Sequence, residues 1–259
     1  MTLIYAFANQ KGGVGKTTTT INLAAYLAAR GKKLLLVDID PQANATSSLG
    51  VDKSHLRLSI YEALIQQVPL GQIIMPIEGS RLELVPSAPA LAGATVELIR
   101  LPDRTHLLRK ALATLDRKYD YIFIDSPPSL GILTVNALTA TDGVIIPVQC
   151  EYLSLEGLGQ LVHTINLVRR DLNPQLKITG LIMTMYDVRT KIAQQVVDEV
   201  RKYFASKVFS TIIPRNVRLS EAPSYGETIL NYAPKSSGAL AYEALAKEFL
   251  KRTDQTGGS

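Results

Sequence analysis

The chain has 259 residues, of which 46% are hydrophobic and 20% charged, a balance typical of a folded protein with a substantial core. Its single cysteine, Cys150, excludes a disulfide framework or an all-cysteine metal site within one chain, and no run approaches the roughly 18 apolar residues of a membrane span. The net charge of +5 is concentrated in residues 189–218, which carry seven basic and two acidic side chains, and this segment is either a solvated basic face or a surface for nucleic acid.

The first predicted elements form a strand–loop–helix–strand unit. Residues 3–8 (LIYAFA) are short and apolar, as in a buried parallel strand. A glycine-rich loop leads into a helix over residues 17–31, whose apolar residues recur at helical spacing and which ends at a glycine. The apolar run over residues 33–40 (KLLLVDID) predicts a second buried strand, and the whole stretch is therefore a right-handed βαβ unit.

The same alternation continues to the end of the chain. Further strands are predicted over residues 81–87, up to Asp125, and over 143–149, 176–186 and 207–214. Further helices are predicted over residues 106–115, 155–169, 190–204 and 237–252, and the third of these should turn Ile192, Val196, Val200 and Phe204 inward. This order predicts an α/β fold: a single doubly wound, mostly parallel sheet with helices on both faces. We expect residues 1–252 to form one domain and residues 253–259 a disordered tail.

The sequence KGGVGKTT follows the first strand and has the composition of a phosphate-binding loop. Its glycines allow successive backbone N–H groups to point at phosphate oxygens, and the helix after it adds the positive end of its dipole. In such a loop Lys16 reaches the β- and γ-phosphates and the hydroxyl of Thr17 is a ligand of Mg²⁺. This order of residues favours a nucleotide site over an ordinary glycine turn. The loop residues expected to contact nucleotide are Lys11, Gly12, Gly13, Val14, Gly15, Lys16, Thr17 and Thr18.

The loop departs from the common pattern G-x-x-x-x-G-K-[ST] at its start. Gln10 stands in place of the first glycine, and Lys11 adds a second lysine five residues before Lys16. A lysine at this point can extend outward over the mouth of the site. If two subunits face each other with nucleotide between them, it would meet the phosphates of the partner.

These features resemble the ParA and MinD superfamily of ATPases, whose deviant phosphate loop is KGGVGKTT. The segments DIDPQANATSSLG, IDSPPSLGILTVNAL and APSYGETIL occur in the order of the small ParA/Soj partitioning ATPases, and the resemblance extends over residues 1–252. The first predicted strand begins at Leu3, which leaves no room for the N-terminal helix-turn-helix domain of long plasmid relatives. The end of the chain after Leu250 is too short and polar for the membrane helix of MinD relatives.

The resemblance implies a Mg²⁺-dependent ATPase that is weak alone and is stimulated by a partner. Lys11 would act across a nucleotide-sandwich homodimer, as an arginine finger does in trans, and Lys16 would act within its own site. Asp40 would orient or activate the attacking water, and Asp125 would hold Mg²⁺ together with the threonine after Lys16. Asp38 either lies near the metal or caps the end of its strand.

The resemblance also assigns the base and DNA contacts. Pro214 and Asn216 would lie against the adenine. Arg189 and Arg218 would bind DNA without sequence preference, and only in the ATP-bound dimer, so that the basic segment becomes a DNA surface. A ParB-type protein would stimulate hydrolysis. We therefore expect no membrane association and a cytoplasmic protein, which has no signal peptide, associated with the nucleoid.

Two other functions remain open at this point. A relative with the same loop could position a cargo other than DNA by the same switch. A small-molecule kinase or ligase of the superfamily would instead need a substrate pocket and would turn over without DNA. The basic segment, residues 189–218, argues against the second of these.

Overall fold

Short apolar runs become the strands of one sheet in the computed structural model, which describes residues 2–116, 118–152 and 154–256. The strands are β1 (Leu3–Phe7), β2 (Leu34–Asp38), β3 (Met75–Pro76), β4 (Leu82–Val85), β5 (Tyr121–Asp125), β6 (Gly143–Gln149) and β7 (Lys177–Thr184). The helices are α1 (Lys16–Ala29), α2 (Asn44–Ser48), α3 (Ile60–Ile65), α4 (Leu91–Leu98), α5 (Leu107–Ala113), α6 (Ile132–Thr139), α7 (Ser154–Asp171), α8 (Lys191–Phe204), α9 (Arg218–Glu221), α10 (Ile229–Tyr232) and α11 (Ser237–Thr256).

The strand order in the sheet is β3-β4-β2-β5-β1-β6-β7, and the strands are parallel except for β3, which runs antiparallel to β4. The chain turns from one half of the sheet to the other at β1. Such a switch point leaves a crevice at the carboxyl ends of the strands. Asp125 pairs in register with Phe7 on one side and with Asp38 on the other, so the loops after β1, β2 and β5 meet there.

Helices cover both faces of the sheet, and alternate strand residues face each layer. On one face, α1 and α11 bury an aromatic cluster in which the ring centroids of Phe7 and Phe123 lie 5.0 Å apart and those of Phe123 and Phe249 lie 5.8 Å apart. Helices α3 to α8 cover the other face in two apolar clusters. Burial of this kind contributes about 25 cal/mol per Å² of apolar surface and holds the strand ends in place.

The doubly wound architecture and the main strands are confirmed, but residues 207–214 do not form a strand. Phe209 and Ile213 donate backbone hydrogen bonds to the carbonyls of Leu181 and Met183 on β7, at 2.8 and 2.9 Å, and isolated bridges join Val208 to Leu181 and Pro214 to Tyr186. The backbone N–H groups of Ser210 and Thr211 donate to the carboxylate of Glu248 on α11 instead, at 2.8 and 2.9 Å. The bonds to Glu248 interrupt the hydrogen-bond ladder between Phe209 and Ile213, so this segment lies along β7 without becoming a regular strand.

Two predictions at helices also need correction. Ile192 is 41% exposed, because the buried face of α8 runs through Val196 and Val200 with Ala193 and Val197 beside them. Helix α11 continues to Thr256, beyond the expected boundary at 252. Thr253 is buried, and its hydroxyl lies 3.0 Å from that of Tyr121. Residues 257–259 of the expected tail lie outside the described residues.

Candidate active site

The glycine-rich loop joins β1 to α1 at the centre of the crevice. Gly13 (φ 73°) and Gly15 (φ 78°) have left-handed backbone conformations that favour glycine. A Cβ atom added at Gly12 or Gly13 would meet no atom within 4 Å, so this side of the loop is open. Helix α1 begins at Lys16, and its free N–H groups and dipole face the same opening. The loop is therefore shaped to accept an anion.

Asp125 lies behind this loop and contacts the first turn of α1, the helix that follows the loop. The hydroxyl of Thr17 donates to Asp125 Oδ2 at 2.6 Å, that of Thr20 donates to Oδ1 at 3.2 Å, and Lys16 Nζ lies 3.9 Å from Oδ1. Burial raises the pKa of Asp125, while neighbouring Lys16 and the hydroxyl of Thr17 oppose the increase. A hydroxyl and a carboxylate are hard oxygen ligands, so this donor set fits Mg²⁺.

Asp38 and Asp40 have different surroundings. The fully buried carboxylate of Asp38 accepts hydrogen bonds from the hydroxyl of Thr46 at 2.7 Å, from the N–H of Thr46 at 2.9 Å and from the N–H of Asp40 at 3.1 Å. Burial, and next the charge of Asp125, raise the pKa of Asp38 to about 7. Asp38 thus fixes the loop after β2 to α2. Asp40 lines the crevice, where its Oδ1 accepts from the N–H of Gln42 at 3.0 Å.

Two clefts adjoin at the loop. The first has a volume of about 360 Å³ and is lined by the loop together with Asp40, Asn44, Ser48 and Pro128. The second has a volume of about 470 Å³ and is lined mainly by residues 213–223, which include Pro214 and Asn216. Residues that line both clefts are Gly15, Thr18, Met185 and Pro223. A polar cleft for phosphates is therefore continuous with a less polar one that suits a base.

Lys11 pairs with a carboxylate that follows β6. Its ammonium nitrogen lies 3.5 Å from Glu151 Oε2 at the end of β6, and the side chain is 29% exposed. The other carboxylate oxygen of Glu151 lies 3.5 Å from a guanidinium nitrogen of Arg215. Lys11 also lines the phosphate cleft, and it can therefore exchange its surface carboxylate for another anion at the mouth of the site.

The predicted DNA-binding arginines are on the surface beside the base cleft. The side chain of Arg189 is 82% exposed, and its guanidinium donates two hydrogen bonds to Asp187, of 2.9 and 2.6 Å. Arg218, also exposed, donates to Glu221 at 2.8 Å. The N–H of Arg215 donates to the carbonyl of Tyr186, so the backbone before Arg189 lies beside the backbone before Arg218. On α8, Lys191, Arg201 and Lys202 are exposed.

Several residues of the site were missed from the sequence. Thr20 stands one helical turn after Lys16, and this spacing could have indicated its contact with Asp125. Asn44 and Ser48 lie on a five-residue helix that lacks a clear sequence signal. Glu151 reaches Lys11 only because β6 lies next to β1, and no local pattern reveals that contact.

Comparisons with known proteins show which family this chain resembles. A family model described as an AAA domain matches residues 2–178. The chromosome partitioning protein ParA of Myxococcus xanthus (strain DK1622) is 55% identical over 249 residues, covering 96% of this chain and 88% of the relative. The sporulation initiation inhibitor protein Soj of Bacillus subtilis (strain 168) is 54% identical over 245 residues, covering 95% and 97%.

This chain is also similar over its whole fold to a solved structure. The cobyrinic acid a,c-diamide synthase of Mycobacterium smegmatis, solved with bound ADP and magnesium, has a TM-score of 0.86 and 39% identity. The match covers 98% of this chain and 96% of that one. The nucleotide and metal in that structure are of the kinds that the loop and Asp125 fit here.

Fold, loop and strand-end carboxylates define a P-loop ATPase. The identities of more than half over nearly the full chain then place it further: the chain belongs to the ParA/Soj family of chromosome-partitioning ATPases. The family, the fold class and the ATPase class expected from the sequence are confirmed. Within the described residues, no helix is both long and apolar enough to cross a membrane.

Proposed function

We propose that this protein is an ATP-operated switch that dimerises, binds DNA without sequence preference and thereby partitions chromosome or plasmid DNA. The observation that carries the proposal is that one segment, residues 213–226, lines the base cleft and also forms part of the exposed basic surface. Its Pro214 and Asn216 line the base cleft, and its Arg218 is exposed to solvent beside that cleft. Nucleotide binding in the cleft can therefore change the position of Arg218, a residue suited to bind DNA phosphates.

The residues of the phosphate cleft have distinct roles in this proposal. Lys16 binds the β- and γ-phosphates of ATP, with the N–H groups of the loop around it. Thr17 and Asp125 hold Mg²⁺, which supplies electrostatic stabilisation of the charge on the phosphates when it is bound. Asp40 orients the attacking water from the end of β2. Pro214 and Asn216 hold the adenine.

Lys11 connects the site to a second subunit. Because Lys11 is partly exposed and pairs with exposed Glu151 at 3.5 Å, it can leave this partner for the phosphates of a facing subunit at little cost. The added cation acts like an arginine finger supplied in trans. ATP therefore favours the homodimer, and hydrolysis removes the anion that holds Lys11 in place.

Dimerisation also doubles the basic surface. Arg189 and Arg218 of both subunits contact DNA phosphates, while Lys191, Arg201 and Lys202 add to the positive potential. A ParB-type partner stimulates hydrolysis and releases the dimer from DNA. Cycles of this kind, in the cytoplasm and on the nucleoid, move or position the cargo DNA.

The test is retention of DNA by the purified protein with ATP, with ADP and without nucleotide, at low and high salt. We expect retention only with ATP, and we expect it to fall steeply with salt, because each phosphate contact releases condensed counterions. Lack of retention under every condition would exclude the DNA function. The two other functions left open by the sequence would then be tested, beginning with ligase activity because of the similarity to a synthase structure.

A further inference from the structure

Two glycines that end short helical segments contact each other through their backbones. Gly50 (φ 79°) follows α2, and Gly226 (φ 68°) ends the 3₁₀ turn over residues 222–225. A Cβ atom added at Gly226 would lie 2.7 Å from Gly50 Cα and 3.1 Å from Gly50 N. A Cβ atom added at Gly50 would lie 3.3 Å from the carbonyl oxygen of Gly226. A side chain at Gly226 would therefore force the backbone at Gly50 to move, whereas one at Gly50 would make a tight contact.

Helix α2, on one side of this contact, belongs to the phosphate cleft. Asn44 and Ser48 line the cleft from α2. Both hydrogen bonds from Thr46 to the buried carboxylate of Asp38, of 2.7 and 2.9 Å, tie the helix to the end of β2. The loop between β2 and α2 also carries Asp40. These bonds connect the loop that carries Asp40 to α2 and to Gly50, which follows the helix.

The other side of the contact is the segment formed by residues 218–226, which we call the α9 segment. Its Pro223 lines both clefts. Its first residue is Arg218, whose guanidinium donates to Glu221, and Glu221 also accepts from the hydroxyl of Tyr232 at 3.1 Å. The α9 segment thus spans from the nucleotide clefts to the basic surface.

We propose that the Gly50–Gly226 contact couples the phosphate cleft to the orientation of Arg218, so that it adds to the nucleotide dependence that dimerisation gives to DNA binding. This inference rests on the proposed function and adds the element that connects its two sites. A contact between backbones cannot be relieved by a change of rotamer, and packed elements transmit displacement. Helix α2 and the α9 segment each touch the cleft and each other, which forms a short contiguous path.

The experiment compares three alanine variants at left-handed glycines. Gly226→Ala introduces both backbone strain and the close contact, and Gly50→Ala introduces the strain with a milder contact. Gly79→Ala is the matched control: Gly79 also has a φ of 68°, but a Cβ atom there would meet nothing within 4 Å, and it lies in the turn between β3 and β4. Affinity for a DNA duplex is measured by fluorescence anisotropy with a non-hydrolysable ATP analogue and with ADP.

The measured quantity is the ratio of DNA affinities in the two nucleotide states. We expect Gly79→Ala to keep the wild-type ratio, Gly50→Ala to reduce it and Gly226→Ala to reduce it further, by about tenfold, the usual scale of coupling between two sites. Affinity for the ATP analogue itself should stay close to that of the wild type in all three. If Gly226→Ala does not fold, Gly50→Ala against Gly79→Ala decides the question.

Hydrogen exchange of the wild-type protein provides an independent measurement. The ATP analogue should change the exchange of α2 and of the α9 segment together, and in Gly50→Ala the response of the α9 segment should be lost while that of α2 remains. A wild-type ratio in both Gly50→Ala and Gly226→Ala, with wild-type exchange in the α9 segment, would overturn the coupling. Absence of any nucleotide dependence in the wild type would instead overturn the proposed function, and the coupling with it.

Discussion

The ammonium nitrogen of Lys11 lies 3.5 Å from a carboxylate oxygen of Glu151, whose other oxygen lies 3.5 Å from Arg215. One carboxylate therefore neutralises two cations at the mouth of the nucleotide clefts. All three side chains are partly exposed, so the pairs contribute only about 0–1 kcal/mol to stability. Their main effect is on the electrostatic potential at the mouth of the clefts, where ATP binds.

Glu151→Gln should increase the affinity for ATP about two- to tenfold at low salt with little change in the melting temperature, because the charge of Arg215, which lines the base cleft, is no longer neutralised. The gain should shrink as salt is added. Binding of a fluorescent ATP analogue over a salt series measures it. Glu78→Gln, at the opposite edge of the sheet, removes the same charge as a control. Equal effects of the two variants would show that only the net charge matters.

Lys11→Ala should bind ATP nearly as well as the wild type but should hydrolyse it about 10³-fold more slowly, because a cation supplied in trans contributes on this scale. Mixing Lys11→Ala with Asp40→Ala provides the sharper measurement. In the mixed dimer, the Lys11→Ala subunit keeps Asp40 and receives Lys11 from its partner. ATPase activity should therefore reappear on mixing two inactive proteins. Continued inactivity of a mixture in which heterodimers form would place Lys11 in its own subunit's site.

Asp40→Ala should retain ATP binding and lose hydrolysis, with kcat reduced about 10²- to 10⁴-fold, since it removes the group that positions the water. The stalled ATP-bound dimer should then stay on DNA after excess competitor DNA is added. Single-turnover hydrolysis and the dissociation rate from DNA measure these effects. Normal hydrolysis by this variant would contradict the role assigned to Asp40.

Arg189→Glu and Arg218→Glu should each keep the ATP-dependent dimer and weaken its binding to DNA. A dimer carries two copies of each residue, so the slope of log affinity against log salt should decrease by about 1.8 per variant, at about 0.9 per phosphate contact. Sedimentation establishes the dimer, and DNA titrations over a salt series give the slope. Arg170→Glu, at an exposed arginine that pairs with Asp171 on α7, is the matched control.

The phosphate loop and the sheet could be predicted because their signals are local. KGGVGKTT specifies its own conformation through Gly13 and Gly15 and ends at a helix, and buried parallel strands are recognisable as continuous apolar runs. The acids at the carboxyl ends of β2 and β5 follow from the same topology, because parallel strands bring their ends to one edge.

What could not be predicted depends on contacts between distant residues. Residues 207–214 have the composition of a strand. However, the carboxylate of Glu248 accepts hydrogen bonds from the N–H groups of Ser210 and Thr211, which lie 38 and 37 residues earlier in the chain. The pairing of Lys11 with Glu151 spans 140 residues. The Gly50–Gly226 contact likewise involves two glycines that each read as an ordinary helix end. Such pairs exist only after the sheet has formed.

The carboxyl of Asp38 predicts a pH dependence of stability in the nucleotide-free protein. Its pKa is raised from 3.8 to about 7, first by burial and then by the charge of Asp125. A raised carboxyl pKa means that the folded state favours the protonated form. This residue therefore lowers the free energy of unfolding progressively as the pH rises from about 4 to about 7, and the full loss is present above pH 7.

Asp38→Asn keeps the shape of the side chain and cannot ionise. Its hydrogen bonds to Thr46 change by an amount that does not depend on pH, so the informative quantity is the difference in unfolding free energy between variant and wild type. We expect this difference to move in favour of the variant by about 2 kcal/mol between pH 5 and pH 8. Urea denaturation at both pH values measures it.

Asp171→Asn, at an exposed carboxyl whose pKa is lowered by Arg170, should show a constant difference over this range because Asp171 stays ionised throughout. A constant difference for Asp38→Asn as well would mean that Asp38 is already ionised at pH 5, with its charge stabilised by Thr46 and the N–H of Asp40.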